Sequence, residues 1–162
     1  MTMKHRQRAA TLLCLLALLP GCATKVDTRI DKAKVEAGLQ QYSRLLVSMD
    51  SAGIAAMFTP EGEITNPRQT TVHGRAAIQK FIASFSDFHV LANTDVATST
   101  LIDGNTAEQL GTYEQSVRSP QGHLFTVSGR LEIEWIKNAE GDWQIMQLAT
   151  FPTPPPTPTP KA

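Results

Sequence analysis

Few side chains in this sequence could do chemistry, and they are neutral ones. Tyr42 carries a hydroxyl and Asn66 an amide that can both donate and accept hydrogen bonds without ionising near neutral pH. Tyr113 and Gln115 share one face of a later segment with Gln109, and Gln147 shares a face with Trp143 and Ile145. If those faces line a cavity they supply further neutral donors and acceptors; otherwise they form a partly solvated sheet face. The histidines are scattered. His73 precedes a helix, His89 opens a strand and His123 follows a turn, none at metal-ligand spacing to another His, Asp or Glu. A histidine–aspartate pair would need His89 or His73 beside Asp95, and nothing in the spacing singles that out. There is no glycine-rich phosphate loop and no serine elbow, so no cofactor, metal or catalytic nucleophile is expected.

The elements that must hold these groups are legible. Val35, Leu39, Tyr42, Leu46 and Met49 form one apolar stripe, which predicts a helix over about Thr28 to Met49 with Tyr42 on its packed face. Asp50 or Ser51 can cap a short second helix carrying Ile54, Met57 and Phe58. Pro60-Glu61-Gly62 should stop that helix, and a strand over Glu63 to Thr65 should end at Asn66-Pro67. Gly74 opens a third helix whose face is Ala77, Ile78, Phe81, Ile82 and Phe85.

The rest reads as a meander of long strands, Val90 to Ile102, Thr106 to Val117, Leu124 to Lys137 and Trp143 to Phe151. Asp103-Gly104-Asn105, Ser119-Pro120-Gln121-Gly122 and Asn138 to Asp142 are the turns between them. Leu131, Ile133 and Trp135 alternate with Arg130, Glu132 and Glu134, giving one buried face and one wet or intersubunit face. Helices first and strands after is an α+β arrangement.

These residues also carry a resemblance. YSRLLVSMDSAGIAAMFTPEGEITNP, from Tyr42 to Pro67, then HGRAAIQKF, resembles the opening of SnoaL-like and ketosteroid-isomerase-like domains of the nuclear-transport-factor-2-like superfamily. The closing pattern Trp135-x-Lys137 and Gly141-Asp142-Trp143 fits as well. The resemblance implies a curved, mostly antiparallel sheet cupped around about three helices, a cone-shaped α+β barrel with an internal pocket. It puts Tyr42 on the tyrosine that donates to a developing oxyanion and Asn66 on the aspartate that moves the proton. The second oxyanion acid falls near Ile133, while Glu132 alternates onto the opposite face. An amide cannot take up a proton at useful pH. The resemblance therefore implies a binder of a small, mostly apolar neutral ligand, or an interaction module, with Tyr42, Asn66, Tyr113, Gln115 and Gln147 as contacts. An acid–base enzyme of isomerase or dehydratase type, acting on a carbonyl or polyketide-like molecule, is the alternative. A structural dimer with a filled pocket is the third reading. A buried carboxylate or histidine of shifted pKa inside the cavity would favour the enzyme. Relatives pair subunits through the open sheet face, so a homodimer is expected.

Length and composition set the frame. The 162 residues allow one domain. Fifteen basic and fifteen acidic residues leave no electrostatic footprint for nucleic acid. Residues 1–21 read as a targeting leader: Lys4, Arg6 and Arg8 are followed by the apolar run Ala9 to Leu19. Leu19-Pro20-Gly21-Cys22 resembles the bacterial lipoprotein signal, in which the cysteine is acylated and becomes the first residue. On that reading Cys14 is discarded and no thiol remains for catalysis or a disulfide. Acyl chains at about 0.8 kcal/mol per buried CH₂ then anchor the chain in the cell envelope. Ala23 after the cysteine resembles the outer-membrane sorting pattern of enteric-type Gram-negative bacteria, which implies the periplasmic face of that membrane. Residues 22–28 are a tether, 29–151 the domain, and 152–162 a Pro/Thr-rich tail read as disordered, with an extended spacer or docking ligand as the alternative.

Overall fold

A computed structural model describes residues 28–66 and 71–154. The leader, Cys22, the tether through residue 27 and the tail from residue 155 lie outside the described residues. Two helices come first, α1 (Thr28–Ser48) and α2 (Ser51–Ala56), then strand β1 (Phe58–Thr65), the short β2 (Val72–His73) and helix α3 (Arg75–Ala83). The meander follows as β3 (His89–Asp103), β4 (Thr106–Arg118), β5 (Leu124–Lys137) and β6 (Trp143–Pro152). The strands form a single six-stranded sheet in the order β2-β1-β6-β5-β4-β3. Only β1 against β6 is parallel; the other pairs are antiparallel. The fold is the curved α+β cone that the sequence led us to expect.

Local chemistry explains the elements. The Asp50 side chain accepts from the Gly53 amide at 2.9 Å and caps α2. Gly74 stands before α3 with φ +80°, a conformation that glycine adopts without strain, and its amide donates to Gly62 at 2.7 Å. Pro60 does not stop the chain from being extended: β1 begins at Phe58 and runs through it, because its pairing with β6 is irregular between Phe58 and Glu63 and needs no amide there. Pairing of β3 with β4 is interrupted at Leu91 and Thr98, between Val90 and Ala92 and between Ala97 and Ser99, and such bulges bend a sheet. Gly111 lies inside the bend, where a Cβ would come within 2.6 Å of the Val96 carbonyl oxygen.

The core lies between α1, α2, α3 and the concave sheet face. Val35, Ile54, Phe58, Ile78, Ile133 and Ile145 are fully buried there. Gly38 lets α1 settle on the Trp135 indole, which a Cβ would meet at 2.8 Å. The N-terminal end of α1 is pinned to the β5–β6 hairpin: Lys137 donates to Asp31 Oδ2 at 2.7 Å and Trp143 Nε1 to Oδ1 at 3.2 Å. The closing sequence pattern around Trp135, Lys137 and Trp143 is thus the seat of the first helix.

Candidate functional site

The apolar stripe of α1 changes role along its length. Val35 and Leu39 are core, whereas Tyr42, Leu46 and Met49 form one wall of a cavity of about 420 Å³. That volume is within the usual range for small-molecule sites, on the order of 300–1,000 Å³. Phe81, Ile82, Phe85 and Phe88 make a second wall, with Phe81, Phe85 and Phe88 meeting edge to face in sequence. Val90, Val117, Phe125, Val127, Leu131 and Leu148 line the sheet side. Phe85 and Phe125 are lining residues that are also exposed, so they mark the opening. It lies toward the C-terminal end of α1, roughly 25 Å of helix away from the Asp31 seat. Met49 at that end has φ 53°, the left-handed region that a non-glycine residue seldom occupies.

The polar groups gather on one side, where α1 crosses β3. Asp95 is 5 % exposed and lines the cavity with Asn93, Tyr113 and Gln115. The register sets Asn93 opposite Gln115 and Asp95 opposite Tyr113. Asn93 Nδ2 donates to Asp95 Oδ2 at 2.7 Å and to Ser43 Oγ at 2.8 Å. Ser43 Oγ donates to the Asn93 carbonyl at 3.1 Å, and Gln40 Nε2 to the Asp95 carbonyl at 3.2 Å. These side chains of α1 satisfy carbonyls on the outer edge of β3, which is an end strand of the sheet.

Burial pushes the Asp95 carboxyl above the ordinary aspartate value, opposed by the Asn93 amide that donates to it and by the nearby Ser43 hydroxyl. Burial also raises Tyr42, with the nearby Asp95 charge and Tyr113 adding to it, so the phenol stays a neutral donor. No Lys, Arg or His is among the described lining residues to stabilise an anion.

Of the contacts expected from sequence, Tyr42, Asn66, Tyr113 and Gln115 all line this cavity. Gln147 does not. The β5–β6 register skips Met146 between Ile145 and Gln147, which moves Leu148 onto the cavity face and turns Gln147 to the opposite one. Gln109 is fully buried, but as the acceptor for Trp135 Nε1 at 3.2 Å, and it is not part of the lining. His73 pairs with Glu63 at 2.9 Å, while His89 and His123 are exposed, so no described histidine lines the cavity beside Asp95. The Ile133 position is wholly apolar core and Glu132 faces outward.

Asp95, Asn93 and Ser43 were not expected as a group. Asp95 drew notice only as a partner for a histidine. The available signal was the Asn93-x-Asp95 spacing, which puts both on one strand face.

A SnoaL-like domain family model matches residues 27–149. A ketosteroid isomerase-like protein from Erwinia carotovora atroseptica is 17 % identical with a TM-score of 0.71, over 77 % of this chain and 98 % of that one. A conserved protein from Planctomyces limnophilus is 12 % identical with a TM-score of 0.72, over 78 % and 98 %. A nuclear transport factor 2-like superfamily protein from Salmonella enterica serovar Typhimurium is 17 % identical with a TM-score of 0.68, over 83 % and 99 %. At these identities the likeness establishes a shared fold. No protein of curated function matches the chain.

Proposed function

The chain belongs to the SnoaL-like domain family, and from that premise we propose that its cavity performs acid–base chemistry on a small, mostly apolar molecule bearing a carbonyl. Asp95 carries this reading: it is a buried carboxyl inside an apolar cavity, raised by that burial toward the working pH of a general base. It is set ahead of the reading as a neutral binder, which rests on the amide at Asn66. In the step proposed, Asp95 takes a proton from the carbon next to the carbonyl. The C–H electron pair becomes a C=C bond and the carbonyl pair moves onto oxygen, which accepts from the neutral Tyr42 hydroxyl. Return of the proton to a conjugated carbon gives the isomer and restores Asp95.

The test is deuterium exchange. Apolar cyclic enones in D₂O should gain deuterium beside the carbonyl with the wild-type chain, and Asp95→Asn should abolish the gain. Saturable binding of the same ketones with no exchange would leave the second reading, a neutral-ligand binder. Asn66 favours that reading, since it stands where the resemblance expects the proton-moving aspartate.

The setting proposed is the cell envelope, with Cys22 acylated after the Leu19-Pro20-Gly21 run.

A further inference from the structure

Asp95 has two carboxyl oxygens, and its neighbours treat them differently. The Ser43 hydroxyl has one hydrogen, which goes to the Asn93 backbone carbonyl at 3.1 Å. Its oxygen can then only accept from the Asn93 side chain, so that amide must present its NH₂ group, at 2.8 Å. The second hydrogen of the same NH₂ goes to Asp95 Oδ2 at 2.7 Å. At the other end of the amide, Asn93 Oδ1 accepts from Gln115 Nε2 at 3.4 Å. A flipped amide would press its carbonyl against Asp95 Oδ2 at 2.7 Å, where the ionised carboxyl has no hydrogen to place between them. Residues from α1, β3 and β4 thus fix one orientation. The Asp95 main chain is held as well, by Gln40 at 3.2 Å.

We infer that Asn93, oriented by Ser43, is a positioning residue that reserves Oδ2 of Asp95 and confines the exchangeable proton to Oδ1, the oxygen left for a ligand. The inference rests on the reading of Asp95 as the proton carrier. In a carboxylic acid the carbonyl oxygen accepts hydrogen bonds better than the hydroxyl oxygen, so the oxygen held by Asn93 remains the carbonyl one. The other titratable groups facing Asp95 are Tyr42 on α1 and Tyr113, its partner on β4. Tyr42 is held neutral, and no described cation lines the cavity, so the hydrogen bond from Asn93 supports the ionised form.

The experiment is a carbon-13 NMR titration of the Asp95 carboxyl in the full chain and its variants. Asn93→Leu should move the midpoint upward by about one to two pH units, the size expected for loss of one hydrogen bond to a charge. Ser43→Ala should move it upward by less, because the amide loses its orienting acceptor, and Ser43→Thr should restore the wild-type curve. An unchanged midpoint in a folded Asn93→Leu chain overturns the inference. If that variant does not fold, Ser43→Ala decides against Ser43→Thr, and equal midpoints overturn it. Failure of the acid–base reading is seen separately: ketone exchange would be absent while the dependence of Asp95 on Asn93 persisted.

Discussion

Lys137 Nζ and Asp31 Oδ2 are 2.7 Å apart, although 106 residues separate them in the chain. Both are mostly buried, at 16 % and 8 % side-chain exposure, and the Lys137 ammonium also lies 4.9 Å from the Trp143 ring centre. The pair joins the start of the first helix to the last hairpin, so the closed end of the cone depends on it.

Asp31→Asn should therefore destabilise the domain by about 1–3 kcal/mol at neutral pH, since Lys137 loses its charge partner. Lys137 holds the Asp31 carboxyl below its ordinary value of 3.8, with burial opposing and Trp143 assisting. A carboxyl lowered in the folded state stabilises above its unfolded pKa, and that stability is lost as pH falls through the folded one. Urea unfolding at pH 7 should separate wild type from variant, and the two should converge only well below pH 4. A constant difference down to pH 2 would exclude the charge as the cause.

Cys22→Ala should leave the precursor uncleaved by the lipoprotein pathway and unlabelled by palmitate. Labelling and membrane partition that survive the change would show that the Leu19-Pro20-Gly21-Cys22 run is not an acylation signal.

Pairing of two copies should use the outer sheet face. The register puts Val96, Thr112, Arg130 and Phe151 in one row across it, with Leu110 beside Glu132 in the next. Val96 and Leu110 are exposed there, 51 % and 37 %, amid charged neighbours, a mixture suited to a partly polar interface. Light scattering should give twice the chain mass for the wild type, and Val96→Glu should lower it toward the monomer. A wild-type mass of one chain at every concentration removes the expectation.

The first helix and the four long strands were legible because their signals are local, whereas Phe58, read as helical, opens β1. The Val35-to-Met49 stripe and the glycine turns set α1 and β3 to β6 to within about a residue. The site was half legible. Tyr42 lies on a helical stripe and Asn66 at a strand end, and the resemblance implied that both face one pocket. Gln147 was misplaced because one unpaired residue, Met146, reverses the alternation after it. Asp95 was passed over because Asn93-Thr94-Asp95 offers polar residues to both faces of β3. Only its pairing with β4 and the packing of α1 reveal which side is buried.

Asp95→Asn should make the domain more stable at neutral pH while ending any proton transfer. Burial raises Asp95 in the folded state. A raised carboxyl favours folding fully below its unfolded pKa, and this contribution is lost as pH rises through the folded value. An amide has no charge to bury, so the melting temperature of the variant should exceed that of the wild type at pH 7. The advantage should shrink as pH falls below about 4, where the unfolded aspartate is also protonated. Thermal melts at both pH values read this directly, and a variant that is less stable at pH 7 would show that Asp95 is held as a favourable anion.

Tyr42→Phe separates the two functional readings by the size of its effect. A hydroxyl that only binds a neutral carbonyl contributes about 0.5–1.5 kcal/mol, or roughly a three- to tenfold change in Kd. A hydroxyl that meets a developing oxyanion in a dry cavity contributes more to the rate, on the order of a hundredfold in kcat. Burial and Asp95 hold the Tyr42 phenol neutral, well above its usual range, so its donation should be constant across pH 5 to 9. Any rise in exchange rate over that interval should therefore track Asp95 alone and keep the same midpoint in Tyr42→Phe. Isotope exchange into a cyclic enone, measured beside its Kd for both chains, gives the comparison. A loss of about tenfold or less, equal in Kd and in kcat/KM, would make Tyr42 a binding contact and leave the carbonyl oxygen without its donor in the transition state.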